Sequence, residues 1–244
     1  MSQFSKDLLE YYMDHQLKPE DTFKFTCKMC GSCCKKRKEP ILMTGTDIFY
    51  IGKALNIQPL EVINNYMDCY IGHDSKVPVC TLLERKDGRC VLMKKYKCRV
   101  QNMKPVVCAL FPLGRMLALQ KEENGELQEE QKYIYFTQPE DRGSCIGCRD
   151  GEERTLQSWL DEFNIEQRDR ETMAWQKMML SLSQFIRGLN PAEVDEERHQ
   201  RIMTIVMGCL YLNYPLDRDY IESINENRRL LKLAFDDIKF IDEV

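Results

Sequence analysis

The sequence predicts a mostly helical α+β fold, in which an irregular cysteine-rich segment with short antiparallel hairpins packs on a C-terminal helical bundle. Three features of the 244 residues lead to this prediction. Most of the twelve cysteines lie between positions 27 and 108. Short stretches that alternate apolar and polar residues around Gly-containing turns predict hairpins. From Thr155 onward apolar residues recur at helical spacing, and Cys209 is the only cysteine in that part.

Composition and charge narrow the class of protein. The formal net charge is −4 and the isoelectric point is near 5.6, so nucleic acid is not expected as a partner. No apolar run approaches the roughly 20 residues that a membrane-spanning helix needs. Residues 1–16 lack the apolar core of a secretory signal and predict an amphipathic helix around Phe4, Leu8, Leu9 and Tyr12. We therefore expect a cytoplasmic protein without membrane association, whose cysteines stay mainly reduced.

Four thiols fall within eight residues, at Cys27, Cys30, Cys33 and Cys34. Two residues between thiols allow a tight turn to aim both sulfurs at one metal ion, and Gly31 permits the backbone angles of such a turn. The repeated step is also similar to ferredoxin loops, where one segment supplies several ligands to an iron–sulfur cluster and a remote cysteine completes it. The segment therefore predicts metal or redox chemistry rather than a disulfide framework.

Further cysteines follow at spacings too long for one turn, which suits ligands delivered from different loops onto a common centre. These are Cys80, Cys90, Cys98 and Cys108. A second pair, Cys145 and Cys148, lacks the strand–CxxC–helix order of a thioredoxin, so ligation, or a lid over the first site, is favoured. Cys69 has no close partner in sequence and is interpreted as an ordinary thiol. The role of Cys80 is left open.

A basic run from Lys35 to Lys38 directly follows the four thiols. A zinc ion or a cubane cluster bound by four thiolates carries a net charge of roughly −2, which neighbouring cations stabilise. A run of this kind is equally typical of a solvated surface, and both interpretations stay open.

Local signals predict the elements between the thiols. Residues 44–68 predict two short helices, the first capped by Thr46 and ended by Asn56, the second with Pro59 in its first turn. Residues 77–93 predict a hairpin that turns at Asp87-Gly88. A second hairpin is predicted from 115–120 and 131–137, joined across Asn124-Gly125.

Helical periodicity dominates the C-terminal part. The first predicted helix of this part has one apolar stripe, which consists of Leu156, Trp159, Leu160 and Phe163. Longer helices are predicted over about 166–187, from Pro191 to before Pro215, and around Tyr220 to Phe235. We predict a cysteine-cluster region over 1–150 and a helical region over 151–244, packed together as one unit.

Three segments together resemble the YkgJ-type cysteine-cluster family. They are Cys-x-x-Cys-Gly-x-Cys-Cys at 27–34, Thr46-Asp47-Ile48, and Cys90…Cys98…Lys104-Pro105-x-x-Cys108-x-x-Phe111-Pro112. The resemblance covers about positions 25–115, with a weaker similarity at 155–160. That family is described as a zinc- or iron-chelating domain, and flagellin lysine N-methylases are related to it. Lys104 stands where the family more often has Arg, so a point charge replaces a forked donor.

The resemblance implies seven metal ligands, and the pair outside the match brings the candidates to nine. The seven are Cys27, Cys30, Cys33, Cys34, Cys90, Cys98 and Cys108, and the two outside are Cys145 and Cys148. Two metal sites with four thiolates each need only eight cysteines.

Three hypotheses about function follow. The first is an iron–sulfur protein with one or two clusters, in electron transfer, redox sensing or support of methyl transfer. The second is a structural or regulatory zinc module whose helical half binds a protein partner. The third is an S-adenosylmethionine-dependent protein lysine methylase, although no Gly-rich strand-to-helix turn of the nucleotide-binding kind is present. The sequence favours the first, and whether the chain is an enzyme is left undecided.

Overall fold

The computed structural model describes residues 10–35, 39–118, 132–137, 145–190, 194–235 and 237–241. Within the predicted N-terminal helix, residues 10–14 are helical, whereas Phe4, Leu8 and Leu9 lie outside the described residues. The predicted Asn124-Gly125 turn, positions 36–38 of the basic run and Pro191 also lie outside them.

The chain forms helices and small antiparallel strand pairs, so the predicted α+β class is confirmed. The strands are β1 (Thr22–Lys24), β2 (Leu42–Met43), β3 (Met67–Ile71), β4 (Pro78–Leu82), β5 (Met93–Lys94), β6 (Lys97–Cys98), β7 (Leu113–Ala118), β8 (Lys132–Thr137) and β9 (Glu153–Thr155). The helices are α1 (Gly45–Leu55), α2 (Pro59–Tyr66), α3 (Val106–Leu110), α4 (Ile146–Arg149), α5 (Leu156–Glu162), α6 (Ile165–Gly188), α7 (Glu196–Met207) and α8 (Tyr220–Ala234). Within these described ranges, no helix is long and apolar enough to cross a membrane.

The chain divides into two compact units, and each unit is discontinuous in sequence. The first unit contains Met1–Cys33 and Val106–Glu166. The second unit contains Cys34–Pro105 and Gln167–Val244. The chain therefore passes from one compact unit to the other at three points. The predicted division into regions 1–150 and 151–244 concerns folding domains and stays a prediction.

The first unit is built on two antiparallel strand pairs. β1 pairs with β9, and β7 pairs with β8 with Leu117 opposite Tyr133, so the second predicted hairpin is confirmed over the described residues. The predicted stripe on α5 is buried in this core. Its members Leu156, Trp159, Leu160 and Phe163 lie beside Phe25 and Leu110. The core of the first unit is therefore aromatic and is assembled from both of its sequence segments.

The second unit packs α1, α2 and the C-terminal helices around the sheet β2-β4-β3. Both predicted helices are confirmed, with Asn56 in the left-handed conformation at the end of α1 and Pro59 at the start of α2. The cap of α1 is Thr44 rather than the predicted Thr46. The Thr44 side chain accepts from the Asp47 amide, and the Asp47 carboxylate accepts from the Thr44 amide in return.

The predicted hairpin over residues 77–93 is confirmed next to its turn, where Glu84 bridges to Cys90 and the Arg85 amide donates to Arg89 O over 2.8 Å, and is wrong for residues 78–82, which pair elsewhere. β4 pairs with β3 along all five residues, from Met67 opposite Leu82 to Ile71 opposite Pro78. Asp87-Gly88 still forms a tight turn, in which the Gly88 amide donates to Arg85 O over 2.8 Å. The longer apolar register with β3 determines where β4 pairs, and a local turn signal does not predict it.

Candidate metal centre

The loop 27–34 contains two residues in the left-handed region of backbone conformation. Met29 has a φ of 49° and Gly31 a φ of 71°, so a left-handed residue lies in each of the first two spacings between thiols. A 3₁₀ turn, Ser32–Cys34, follows. The prediction that Gly31 supplies unusual backbone angles is confirmed, and Met29 adopts such angles without the freedom of glycine.

Hydrogen bonding favours the thiolate form of Cys30 in this loop. Its Sγ lies 3.3 Å from Ser32 Oγ. Hydrogen bonds from the Ser32 side chain and backbone lower the pKa of the Cys30 thiol. Metal ions bind the thiolate form of cysteine, so this contact favours ligation.

In the first unit, Cys27, Cys145 and Cys148 belong to or pack against one core. The strand pairing of β1 with β9 continues past Lys24, because the Phe25 amide donates to Glu152 O over 3.0 Å and the Thr26 amide to Gly147 O over 3.1 Å. All three cysteines pack in the aromatic core of the first unit. The structure thus brings together thiols that are more than a hundred residues apart in sequence.

Two glycines make this approach possible. A Cβ atom on Gly147 would lie 2.4 Å from Thr26 O, and one on Gly151 would lie 2.6 Å from Thr26 N. Both distances are shorter than any ordinary contact, so only glycine allows the backbone of 25–27 to lie against the loop that carries Cys145 and Cys148.

Cys108 and Cys33 are the other candidates in the first unit. Cys108 is half-buried on α3, whose neighbouring Leu110 O accepts from Trp159 Nε1 over 3.3 Å. Cys33 is exposed. Six of the nine predicted ligands therefore belong to the first unit. These six are Cys27, Cys30, Cys33, Cys108, Cys145 and Cys148.

The remaining three candidates, Cys34, Cys90 and Cys98, belong to the second unit. The Cys90 amide donates to Cys34 O over 2.8 Å, and Cys90 O accepts from the Met93 amide over 3.0 Å. Met93 lies directly opposite Cys98 in the β5–β6 pair. Cys90 is buried in the core of the second unit, and Cys34 and Cys98 pack against that core.

A basic hairpin tip lies next to these three residues. Lys95 and Tyr96 both have positive φ, as the central residues of a two-residue hairpin turn require. The Tyr96 ring has Lys35 Nζ at 5.6 Å and the Arg89 guanidinium at 5.1 Å from its centroid. Lys35 and Arg89 therefore meet at the Tyr96 ring next in sequence to Cys34 and Cys90, and Arg89 also pairs with Asp87 over 3.4 Å.

The other cysteines have different roles. Cys69 and Cys80 face each other across β3 and β4 and form a disulfide, so the interpretation of Cys69 as an ordinary thiol is wrong. This bond also removes Cys80 from the thiols that could bind a metal. Cys209 is buried, and its burial raises the pKa of the thiol to about 11.

The sequence did not predict a buried charged cluster in the second unit. Arg168 Nη2 lies 3.5 Å from Asp47 Oδ1, and its guanidinium lies 4.7 Å from the Tyr50 ring centroid. The Tyr50 hydroxyl donates to Glu171 Oε1 over 3.2 Å, and Gln167 Nε2 donates to the same oxygen over 3.0 Å. Burial raises the pKa of Glu171. The only signal in the sequence was Asp47, as part of a helix cap. A helix cap gives no indication of a distant partner, so the pairing with Arg168 could not be predicted.

The chemistry of the donor set fits zinc or an iron–sulfur centre. Thiolates are the ligands that both prefer, and the cations near Cys34 and Cys90 offset the negative charge of such a centre. Across the described ranges, no group of three or more His, Cys, Asp or Glu side chains is already arranged around a metal ion position.

Comparison with known proteins agrees with this donor set. A family model named CxxCxxCC, described as a "putative zinc- or iron-chelating domain", matches residues 26–138. The match includes the loop 27–34, Cys90, Cys98 and Cys108, whereas Cys145 and Cys148 lie beyond it. The chain has no significant match among curated proteins or solved structures. Residues 26–138 are therefore similar to the CxxCxxCC domains, and the metal-chelating character of that description agrees with the cysteine donors found here.

Proposed function

We propose that the cysteines of this chain bind one or two iron–sulfur clusters, which serve electron transfer, redox sensing or the support of a methyl-transfer reaction. The observation that carries the proposal is the loop 27–34, where thiols repeat at two-residue steps through left-handed residues at Met29 and Gly31. Ferredoxin loops supply several ligands from one segment in this way.

Electrostatics supports the same assignment. A cluster held by four thiolates carries a net charge of roughly −2. Lys35 and Arg89, which both contact the Tyr96 ring, follow Cys34 and precede Cys90 in sequence, so Lys35 brings a positive charge there while Arg89 is paired with Asp87. The hydrogen bond between Cys30 and Ser32 lowers the pKa of the Cys30 thiol and favours the thiolate that ligates iron. A bound cluster would supply one-electron chemistry, and these residues would set its charge environment.

Metal and sulfide analysis of anaerobically purified protein tests the proposal. We expect brown protein that contains iron and acid-labile sulfide in equal amounts, with a visible absorption that bleaches on reduction. Colourless protein that contains only zinc, even after production with ample iron, would contradict it.

Zinc is the second candidate, and the two CxxC pairs favour it. Cys27–Cys30 and Cys145–Cys148 together have the composition of a closed four-cysteine zinc site, which has no position for a substrate. In that case we expect one zinc for each four-thiolate site, unfolding of the protein on chelation, and no redox signal. Such a module would act by holding a surface for a protein partner.

A further inference from the structure

We propose that the β5–β6 hairpin and the turn before it form a docking surface for an acidic peptide segment of a protein partner. All residues of this surface belong to the second unit. The inference goes beyond the proposed metal chemistry and does not depend on which metal the cysteines bind. The basic hairpin surface, as we name it, consists of Arg85, Lys86, Arg89, Lys94, Lys95, Tyr96 and Lys97.

The basic hairpin surface has a charge opposite to that of the chain as a whole. Residues 84–99 contain seven Lys or Arg and two acidic residues, whereas the whole chain has 35 Lys or Arg and 39 Asp or Glu. One of the two acidic residues, Asp87, pairs with Arg89. Positive charge concentrated in one segment of an acidic chain favours a partner of opposite charge and steers its approach.

Three lysines at the tip of the hairpin repel one another. Lys94 and Lys97 lie directly opposite each other in the β5–β6 pair, and Lys95 lies in the turn between them. All three are exposed, and within the described ranges none of them pairs with an acidic side chain. Like charges directly opposite each other destabilise a strand pair. Carboxylates of a bound partner would relieve this repulsion.

The residues of the turn are also unfavourable for its backbone conformation. Lys95 has a φ of 48° and Tyr96 a φ of 66°. Two-residue turns of this kind strongly prefer Asn-Gly or Asp-Gly, because positive φ is unfavourable for larger side chains. The chain instead places a lysine and a tyrosine that is 57% exposed at the tip. Such a departure from local preference is expected where the side chains have a function.

Contacts within the basic hairpin surface order its cations before a partner binds. The Lys35 ammonium and the Arg89 guanidinium both contact the Tyr96 ring. The Arg85 guanidinium donates to Val91 O over 3.1 Å, which connects the first turn to the start of the hairpin. Side chains that are already ordered lose less conformational entropy on binding.

The surface suits a short acidic peptide better than a nucleic acid or a membrane. Bases of single-stranded nucleic acids stack on free aromatic faces, whereas the Tyr96 ring already contacts two cations. A phosphate backbone that extends past the hairpin would meet a chain with excess negative charge. Stable membrane binding needs an apolar anchor beside the basic residues, and Tyr96 is the only large exposed apolar side chain in residues 84–99.

Peptide binding by the full-length chain tests the inference, with fluorescein-labelled deca-glutamate as the probe and fluorescence anisotropy as the readout. We expect saturable binding that weakens as salt rises from about 0.05 M to about 0.5 M, because salt screens exposed charges. The variant K94Q/K95Q/K97Q should bind roughly tenfold more weakly. The control K18Q/K24Q/K239Q removes the same charge from exposed lysines elsewhere and should bind like wild type.

Thermal unfolding of the variants separates lost binding from lost structure. We expect K94Q/K95Q/K97Q to be at least as stable as wild type, because the repulsion between Lys94 and Lys97 is removed. Equal binding by this variant and the control would overturn the inference. Wild-type binding that does not respond to salt would also overturn it, and this measurement needs no variant. Tighter binding of decauridylate or of phosphatidylglycerol vesicles than of deca-glutamate would show that the partner is not an acidic protein segment.

Discussion

Gly147 shows how one residue without a side chain can determine which thiols meet. Its position between Cys145 and Cys148 lets the chain pass against Thr26 with no room for a Cβ. Any other residue would push the CxxC turn away from Cys27. The glycine therefore helps to keep Cys145 and Cys148 in the same core as Cys27, although it cannot bind metal itself.

We predict that Gly147→Ala destabilises the protein and lowers metal content. The added Cβ would lie 2.4 Å from Thr26 O, and relieving such a clash by backbone shifts costs about 1–3 kcal/mol. Urea unfolding measures the loss of stability, and metal analysis of the purified variant measures the loss of bound metal. Gly188→Ala is the matched control, because a Cβ there has nothing within 4 Å. Equal stability of the two variants would contradict the prediction.

The buried carboxyl group of Glu171 should make the stability of the protein depend on pH. Burial raises its pKa above the ordinary value of 4.5, and Asp219 adds to the rise while Gln167, Tyr50 and Arg168 oppose it. The folded state therefore holds the proton more tightly than the unfolded chain. As pH rises above the ordinary value, the unfolded chain ionises first, and stability falls through this window until the raised pKa is passed.

Glu171→Gln should remove this pH dependence. The amide still accepts hydrogen bonds at its oxygen and does not titrate, so we expect the variant to gain stability relative to wild type as pH rises from about 4.5 to neutral. Urea unfolding at several pH values measures the difference. Asp217→Asn, at an exposed position, serves as the control and should show no such trend. A constant difference between wild type and Glu171→Gln would refute the assignment.

At the scale of elements, the β3–β4 pair carries a covalent link that the other strand pairs of the described structure lack. Cys69 and Cys80 lie directly opposite each other with a Cα–Cα distance of 4.2 Å. This short distance is typical of a pair without hydrogen bonds between the two residues, where opposing side chains are closest. The bond is the exception to our expectation that the cysteines stay reduced.

We predict that C69A/C80A destabilises the protein and abolishes its response to reductant. The bond closes a loop with a sequence separation of 11, and loops of about this size are stabilised by roughly 3 kcal/mol through restriction of the unfolded chain. Unfolding with and without a phosphine reductant measures both effects. A wild-type protein that is equally stable in reductant would show that the bond does not form in solution.

Elements with local signals could be predicted from the sequence, and those that depend on distant partners could not. The start and end of the first two helices follow from Pro59 and Asn56, whose effects act within one turn. The pairing of β4 with β3 does not follow from any local signal, because the Asp87-Gly88 turn predicts a different partner. Short strands such as β1 and β9 carry too few residues for an alternating pattern.

The candidate metal site also has features that could be predicted from local signals and features that could not. The thiol spacing in the loop 27–34 predicts its turns, since two intervening residues restrict the backbone locally. Spacing cannot predict that Cys27 shares a core with Cys145, or that the Cys90 amide donates to Cys34 O, because both require long-range pairing. Arg168 could not be foreseen for a related reason, since a charged residue on a helix predicts exposure unless its buried partner is known.

At the scale of the whole molecule, both units are formed from two distant stretches of chain. The first unit needs residues up to Glu166, and the second unit needs the C-terminal helices as well as residues 34–105. Contacts of high sequence separation close late in folding, because the loops between them must first be ordered.

This arrangement has a consequence for protein synthesis. Chains emerge from the ribosome from the N-terminus at about 5–20 residues per second. The loop 27–34 is therefore exposed for several seconds before Cys145 and Cys148 leave the exit tunnel. During that time Cys27 lacks the core that Cys145 and α5 complete, so this core can close only after translation has passed Glu166.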